Sequence, residues 1–282
     1  MTKKKEVIYL FYLRERVFED MEYYYKDFND RQINEILRGQ FFGVDTSIYA
    51  DTKYSWEQME EIREGLENGL SVEQVNIYAD EKYNEYQMRQ IRKGLEKGLS
   101  IEEVRLYADE KFNSMQMYEI RYGLENRLDV SIYADEKYNE YQMREIKYGL
   151  EQGLDISVYA DLKFDFEQMR EIREGLEDGL DVSIYANEKI ESYQMSVIKE
   201  ALLEGMSTDA INLITKPGLS MNSLFIINED LRLGVDPRLV ERYANPYLDF
   251  EDLLNLRSEI NDVINEKIRN VKEQDKKQGI ER

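Results

Sequence analysis

The dipeptide Tyr-Ala recurs at Tyr49, Tyr78, Tyr107, Tyr133, Tyr159 and Tyr185, at spacings of 29, 29, 26, 26 and 26 residues. Nine residues after each Tyr stands Gln-Met, at Gln58-Met59, Gln87-Met88, Gln116-Met117, Gln142-Met143, Gln168-Met169 and Gln194-Met195. Ile and a basic residue follow, and most copies continue with Gly-Leu-Glu-x-Gly-Leu. This short fixed period constrains the fold more than any other property of the chain. A unit of this size cannot enclose a core, so its apolar face is buried only by stacking on the units before and after it.

Each unit reads as one longer and one shorter helix. The longer helix opens on a capping box, Ser55 with Gln58, Asn84 with Gln87, Asn113 with Gln116, Asn139 with Gln142 and Asp165 with Gln168. In such a box the cap oxygen takes an orphan backbone N–H and the glutamine reaches back. Glu191 is a poorer cap in the sixth copy. The apolar stripe Trp56, Met59, Ile62, Leu66 and Leu70 follows helical spacing. Gly69, Gly98, Gly153, Gly179 and Gly205 stand where a left-handed residue ends the helix. Arg127 replaces glycine in the third copy, which predicts a weaker or different end there. A new Asp or Ser then caps the shorter helix, as Asp181 does.

Weaker copies flank the six. Phe28, Gln32, Ile36 and Gly39 keep the register upstream. Ile214, Leu224, Ile227 and Gly234, then Tyr243-Ala244, Leu253 and Arg257, keep it downstream. The fold class is therefore all-α, an α-solenoid of about nine 26–29-residue repeats with capping helices at both ends. Residues 1–22 read as an N-terminal capping helix and 23–206 as the repeat array, regular and strongly acidic over 44–206. Degenerate repeats occupy 207–248. A closing helix and charged tail occupy 249–282, its stripe including Val263, Ile264, Ile268 and Val271.

Two local choices run against helix preference and repeat in nearly every unit. Glycine sits inside the long helix at 65, 94, 123, 149 and 175, at a cost of about 1 kcal/mol relative to alanine. Close approach of a neighbour, such as a Tyr ring over bare backbone, explains it. The pairs Arg63–Glu67, Arg92–Glu96, Arg121–Glu125, Lys147–Glu151 and Arg173–Glu177 have the less favourable order and place Glu near the helix C-terminus. Their repetition implies a non-local gain, for which the lysines at 53, 82, 111, 137, 163 and 189 or Tyr hydroxyls are the candidate partners.

The chain has no cysteine and no histidine. That removes disulfides, zinc-thiolate and histidine-metal sites, and Ser-His or Cys-His nucleophiles. No carboxylate pair stands out from the periodic pattern, and no EF-hand spacing occurs. No catalytic residue, cofactor or metal site is expected. No stretch approaches the roughly 20 apolar residues that span a bilayer, and the apolar run starting at Val7 lacks a cleavage site, so a cytoplasmic location without membrane contact is expected. Net charge is −21. Such a field repels nucleic acid and attracts basic surfaces.

Two columns vary most between units. One reads Glu60, Arg89, Tyr118, Arg144, Arg170, Ser196, and the other Glu64, Lys93, Tyr122, Tyr148, Glu174, Glu200. They lie four residues apart on one helix face, off the apolar stripe. Exposed Tyr and Arg resemble an interface hot spot, so Tyr118, Tyr122, Arg144 and Tyr148 are candidate partner-binding residues. Glu60, Glu64, Glu174 and Glu200 are the candidates if carboxylates carry the contact.

The repeat, with its Tyr-Ala-Asx, Gln-Met and Ile-Arg-x-Gly-Leu-Glu-x-Gly-Leu elements, resembles repeats in proteins of phages and mobile elements of Clostridia-type bacteria. There the pattern includes Tyr-Ala-Asx-Pro, kept here at Tyr243-Ala244-Asn245-Pro246 and lost in the full units. The resemblance carries no catalytic motif. It implies a setting in which the protein meets host or competitor machinery. The leading expectation is a non-enzymatic protein-binding array whose partner has a basic surface, with no direct nucleic-acid binding. The alternative is an acidic nucleic-acid mimic that inhibits a DNA- or RNA-binding defence enzyme, of the anti-restriction or anti-CRISPR type. A third is a structural protein forming a homo-oligomer through its end repeats.

Overall fold

The computed structural model describes residues 25–260, together with 265, 269 and 270. The expected capping helix at 1–22 and the apolar residues Val263, Ile264, Ile268 and Val271 lie outside the described residues. The chain divides into two compact units, 1–147 and 148–282. Among the described residues the structure is all-helical. In the first unit the helices are α1 (Asp30–Phe42), α2 (Trp56–Glu67), α3 (Val72–Val75), α4 (Glu85–Glu96), α5 (Ile101–Arg105), α6 (Ser114–Glu125) and the start of α7 (Glu140–Gln152). The second holds α8 (Phe166–Glu177), α9 (Ser192–Leu203), α10 (Thr208–Ile214), α11 (Met221–Arg232), α12 (Pro237–Val240) and α13 (Phe250–Glu259). Each long helix packs on the next: α1 on α2, α2 on α4 and α4 on α6 in the first unit, α8 on α9 and α9 on α11 in the second. This is the solenoid-like arrangement that the period requires.

The short element depends on the period. In the 29-residue repeats it is an α-helical turn, α3 or α5. In the 26-residue repeats it shrinks to one 3₁₀ turn, at Val130–Ile132, Ile156–Val158 and Val182–Ile184. Asp129, Asp155 and Asp181 cap these turns by accepting from the N–H and hydroxyl of the Ser two residues on.

The capping glutamine has a second task. Gln58 Oε1 accepts from the Ser55 N–H at 2.7 Å while Nε2 donates to the Tyr83 carbonyl of the next repeat at 2.6 Å. Gln32, Gln87, Gln116 and Gln168 donate in the same way to the carbonyls of Tyr54, Phe112, Tyr138 and Ile190. One amide thus starts its own helix and fastens the following repeat. Glu191 makes no side-chain cap. The Gln194 amide still reaches forward, to the Ile214 and Lys216 carbonyls, but its oxygen is buried without a partner.

The interior glycines are explained by tyrosine. Tyr78 and Tyr107 are fully buried, and their hydroxyls lie over Gly65 and Gly94, where any Cβ would overlap them. Each hydroxyl donates to the carbonyl four residues before the glycine, Glu61 or Gln90, at 3.3 Å. The chain holds its own control. In α9 the position is Ala201, and the tyrosine place is taken by Ile214, which has no hydroxyl. In α11 the position is Asp230, whose Oδ2 accepts from Tyr243 at 2.6 Å.

Helix ends follow the glycine pattern even where glycine is missing. Arg127 takes φ +60, alone among the described non-glycine residues in that region. Leu128 N–H still reaches the Gly123 carbonyl at 2.9 Å, as Leu70 reaches Gly65 at 3.0 Å. The third helix end is therefore the same as the others, contrary to expectation, and the arginine carries the strain. Arg127→Gly should raise stability by about 1 kcal/mol in chemical denaturation, the usual left-handed penalty for a side chain. Helix α13 ends at Glu259 with Ile260 as its C-cap, and residues 265, 269 and 270 are again helical.

The buried phenols couple stability to alkaline pH. Burial, first among the causes, pushes Tyr49, Tyr78, Tyr107, Tyr185 and Tyr243 well above the tyrosine range. A raised folded-state pKa means that the unfolded chain releases these protons more readily. The contribution is intact below about pH 10, the unfolded value, and is lost as pH rises beyond it. The phenolate absorbance of these five should therefore appear only together with loss of helical circular dichroism.

Candidate functional site

The repeated basic–acidic pairs do find non-local partners, though not the expected ones. The arginine reaches across to an acid of the preceding repeat, and of the helix-end glutamates Glu96 also accepts from Asn68 of the preceding repeat, at 2.8 Å. Arg63 Nε contacts Glu35 of the preceding repeat at 2.8 Å, and Arg92 contacts Glu61 at 2.8 Å. Lys147 contacts Glu119 at 2.6 Å and Lys199 contacts Glu171 at 2.8 Å. Arg121 meets the neutral Gln90 at 3.1 Å. The same cations hold Glu67 and Glu96 within their own helices at 2.6 and 2.7 Å. The lysine column stays on the surface. Lys53, Lys82, Lys111 and Lys163 each pair with the Asp two residues earlier and lie over the following aromatic ring. Where the ladder ends, both sides change together: Val197 stands in the glutamate place and Asn228 in the arginine place.

On the outer face of the first unit, this ladder braces an aromatic cluster. Glu119 is fully buried and held by Arg144 Nε at 2.9 Å and Lys147 Nζ at 2.6 Å. Lys147 lies 4.3 Å from the centroid of Tyr122, and the Arg144 guanidinium 5.6 Å from that of Tyr141. Tyr118 and Tyr122 are half-buried with ring centroids 6.1 Å apart, and Arg121 lies over Tyr118 at 5.3 Å. One buried carboxylate thus fixes two cations, and these fix two rings, so little side-chain entropy remains to be lost on binding.

Sequence reasoning missed a third column of this face. Tyr86, Met115 and Tyr141 are exposed and stand three residues before the first variable column. Tyr86 is braced as well, with Arg89 at 5.8 Å over its ring and bonded to buried Glu61 at 2.7 Å. The signal was available, since Glu57, Tyr86, Met115, Tyr141, Glu167 and Tyr193 vary as much as the column of Tyr122 and Tyr148.

The remaining candidates have contacts of their own. In the first unit Glu64 pairs with Arg92 at 2.7 Å. Glu60 lies about the same distance from Arg63 and Arg38, 3.9 and 4.0 Å. Burial, then the Glu35 and Glu64 carboxylates, pushes the Glu60 carboxyl up. In the second unit Tyr148 is exposed with Arg173 over its ring at 5.6 Å. Glu174 is bonded to Lys199, and Glu200 contacts Arg232 at 3.0 Å. Glu64, Glu174 and Glu200 are thus partners in ion pairs.

Among the described residues, no group of carboxylates is arranged to hold a metal ion, and no helix is long and apolar enough to cross a membrane. No family model, curated protein or solved structure matches the chain.

Proposed function

We propose that this chain is a non-enzymatic protein-binding helical repeat of phage or mobile-element origin. It works in the cytoplasm and engages a host or competitor macromolecule through the outer face of its first unit. The observation that carries this reading is the braced cluster of Tyr118, Tyr122, Tyr141 and Arg144, extended by Tyr86 and Met115. Immobilised Tyr and Arg are the residues that dominate interface energetics. The acidic surroundings select a partner with a basic rim and repel nucleic acid and anionic lipid. The acidic excess also favours a second reading, a nucleic-acid mimic, but the ion pairs on Glu64, Glu174 and Glu200 interrupt the row of free carboxylates such a mimic needs.

Affinity capture from a Clostridia-type lysate separates the two. The tagged wild type is compared with Tyr118→Ala/Tyr122→Ala and with Glu60→Lys/Glu200→Lys. The aromatic pair should lose the partner, at about 2 kcal/mol per tyrosine, while the charge variant and a high-salt wash should retain it. Mimicry predicts the reverse, with DNA or RNA displacing the partner. A partner held equally by both variants would overturn both readings.

A further inference from the structure

The column that carries Tyr118 and Arg144 in the first unit continues in the second as Arg170 and Ser196, then as Phe225 on α11 and Leu254 on α13. Four residues earlier on the same two helices stand Met221 and Phe250. All four are exposed, at 66% for Phe225, 62% for Met221, 40% for Leu254 and 38% for Phe250. Helices α11 and α13 pack on each other, so these equivalent positions form one apolar strip. Tyr247, on the turn into α13, is 94% exposed. Earlier in the array the same two columns pair Trp56 with Glu60, Glu85 with Arg89, Ser114 with Tyr118, Glu140 with Arg144, Phe166 with Arg170 and Ser192 with Ser196, so at least one member is polar or charged each time. Only α11 and α13 carry an apolar residue at both places, and they do so on neighbouring helices.

We infer that this strip is a self-association surface, covered in solution by the same strip of a second copy. The five side chains expose roughly 600 Å² between them, taking about 150–250 Å² for each large side chain. That is most of the roughly 800 Å² that each partner contributes to a standard interface. The strip's composition also fits a copy of itself. Homodimer interfaces are more apolar than transient ones, and a two-fold contact places the same patch on both sides. Each chain carries −21, so self-contact is least opposed where the contacting columns hold no charge. The basic-rimmed partner proposed for the first unit would gain no charge complementarity here.

The test is sedimentation velocity of the full chain from about 1 to about 100 µM, the range in which mass action reveals a moderate dimer. A monomer–dimer equilibrium is expected, unchanged or tightened at high salt because screening weakens the repulsion between copies. Phe225→Ser/Leu254→Ser should weaken it at least tenfold, and Tyr118→Ala/Tyr122→Ala should leave it unchanged. Helical circular dichroism reports the fold of each variant, and Met221→Gln gives a milder second probe of the strip. A chain that stays monomeric throughout, or an association insensitive to all three strip positions, would overturn the inference without touching the proposal for the first unit.

Discussion

Gly94→Ala should destabilise the first unit by about 2–3 kcal/mol, although alanine is the better helix former. The added methyl overlaps the Tyr107 hydroxyl, and the ring is fully buried with no room to retreat. Accommodating it breaks the bond to the Gln90 carbonyl. Tyr107→Phe alone should cost about 1 kcal/mol, the net worth of one hydrogen bond, since that carbonyl keeps its helical partner. The double variant is the informative one. Without the hydroxyl, the nearest ring carbon stands 3.3 Å and the Leu99 Cδ1 3.2 Å from the new Cβ, tight approaches that a flexible leucine end and a ring can relieve by a few tenths of an ångström. Gly94→Ala/Tyr107→Phe should therefore be more stable than Gly94→Ala, as the repeat with Ala201 and Ile214 in the equivalent places already illustrates. A chemical-denaturation cycle showing additive losses would mean that the hydroxyl is not what excludes alanine.

Arg92→Met should cost about 3 kcal/mol or more, the range for removing one partner of a buried ion pair. It leaves Glu61, only 1% exposed, with Arg89 on one oxygen and nothing in place of Arg92 on the other. Glu64 and Glu96 lose the same guanidinium. The paired change Glu61→Leu/Arg92→Met should recover to within about 1 kcal/mol of wild type, because an apolar replacement of a buried pair is often neutral. Val197 opposite Asn228 is the chain's own version of losing both charges. Urea midpoints for the two singles and the double measure this directly. A double variant as unstable as Arg92→Met would show that the ladder does more than satisfy its own buried charges.

The helix starts and stops were legible because caps and left-handed positions are local chemistry, written within a few residues. Gly65 and its equivalents were legible as an anomaly, and the tyrosine that resolves it sits at a constant distance along the chain. The partner of the arginine was not legible. Its order relative to Glu67 signals a missing gain, but no local rule says which of several acidic columns faces it across the stack. Glu35 and Glu61 are buried by packing between repeats, which only coordinates reveal. The outer face was half legible. Variation marked Tyr118, Tyr122, Arg144 and Tyr148, whereas Tyr86, Met115 and Tyr141 sit on the first turn of their helices, close to the caps. The capping box explains that turn as helix initiation and says nothing of its outward side.

The central claim, that the braced aromatic cluster and not the carboxylates holds the partner, is tested most directly by site-specific photo-crosslinking. A photoreactive phenylalanine analogue replaces Tyr122 in one preparation and Glu200 in another, and each is irradiated in a Clostridia-type lysate. The account predicts a discrete protein adduct from position 122 and none from position 200. An adduct formed only from position 200 would contradict it.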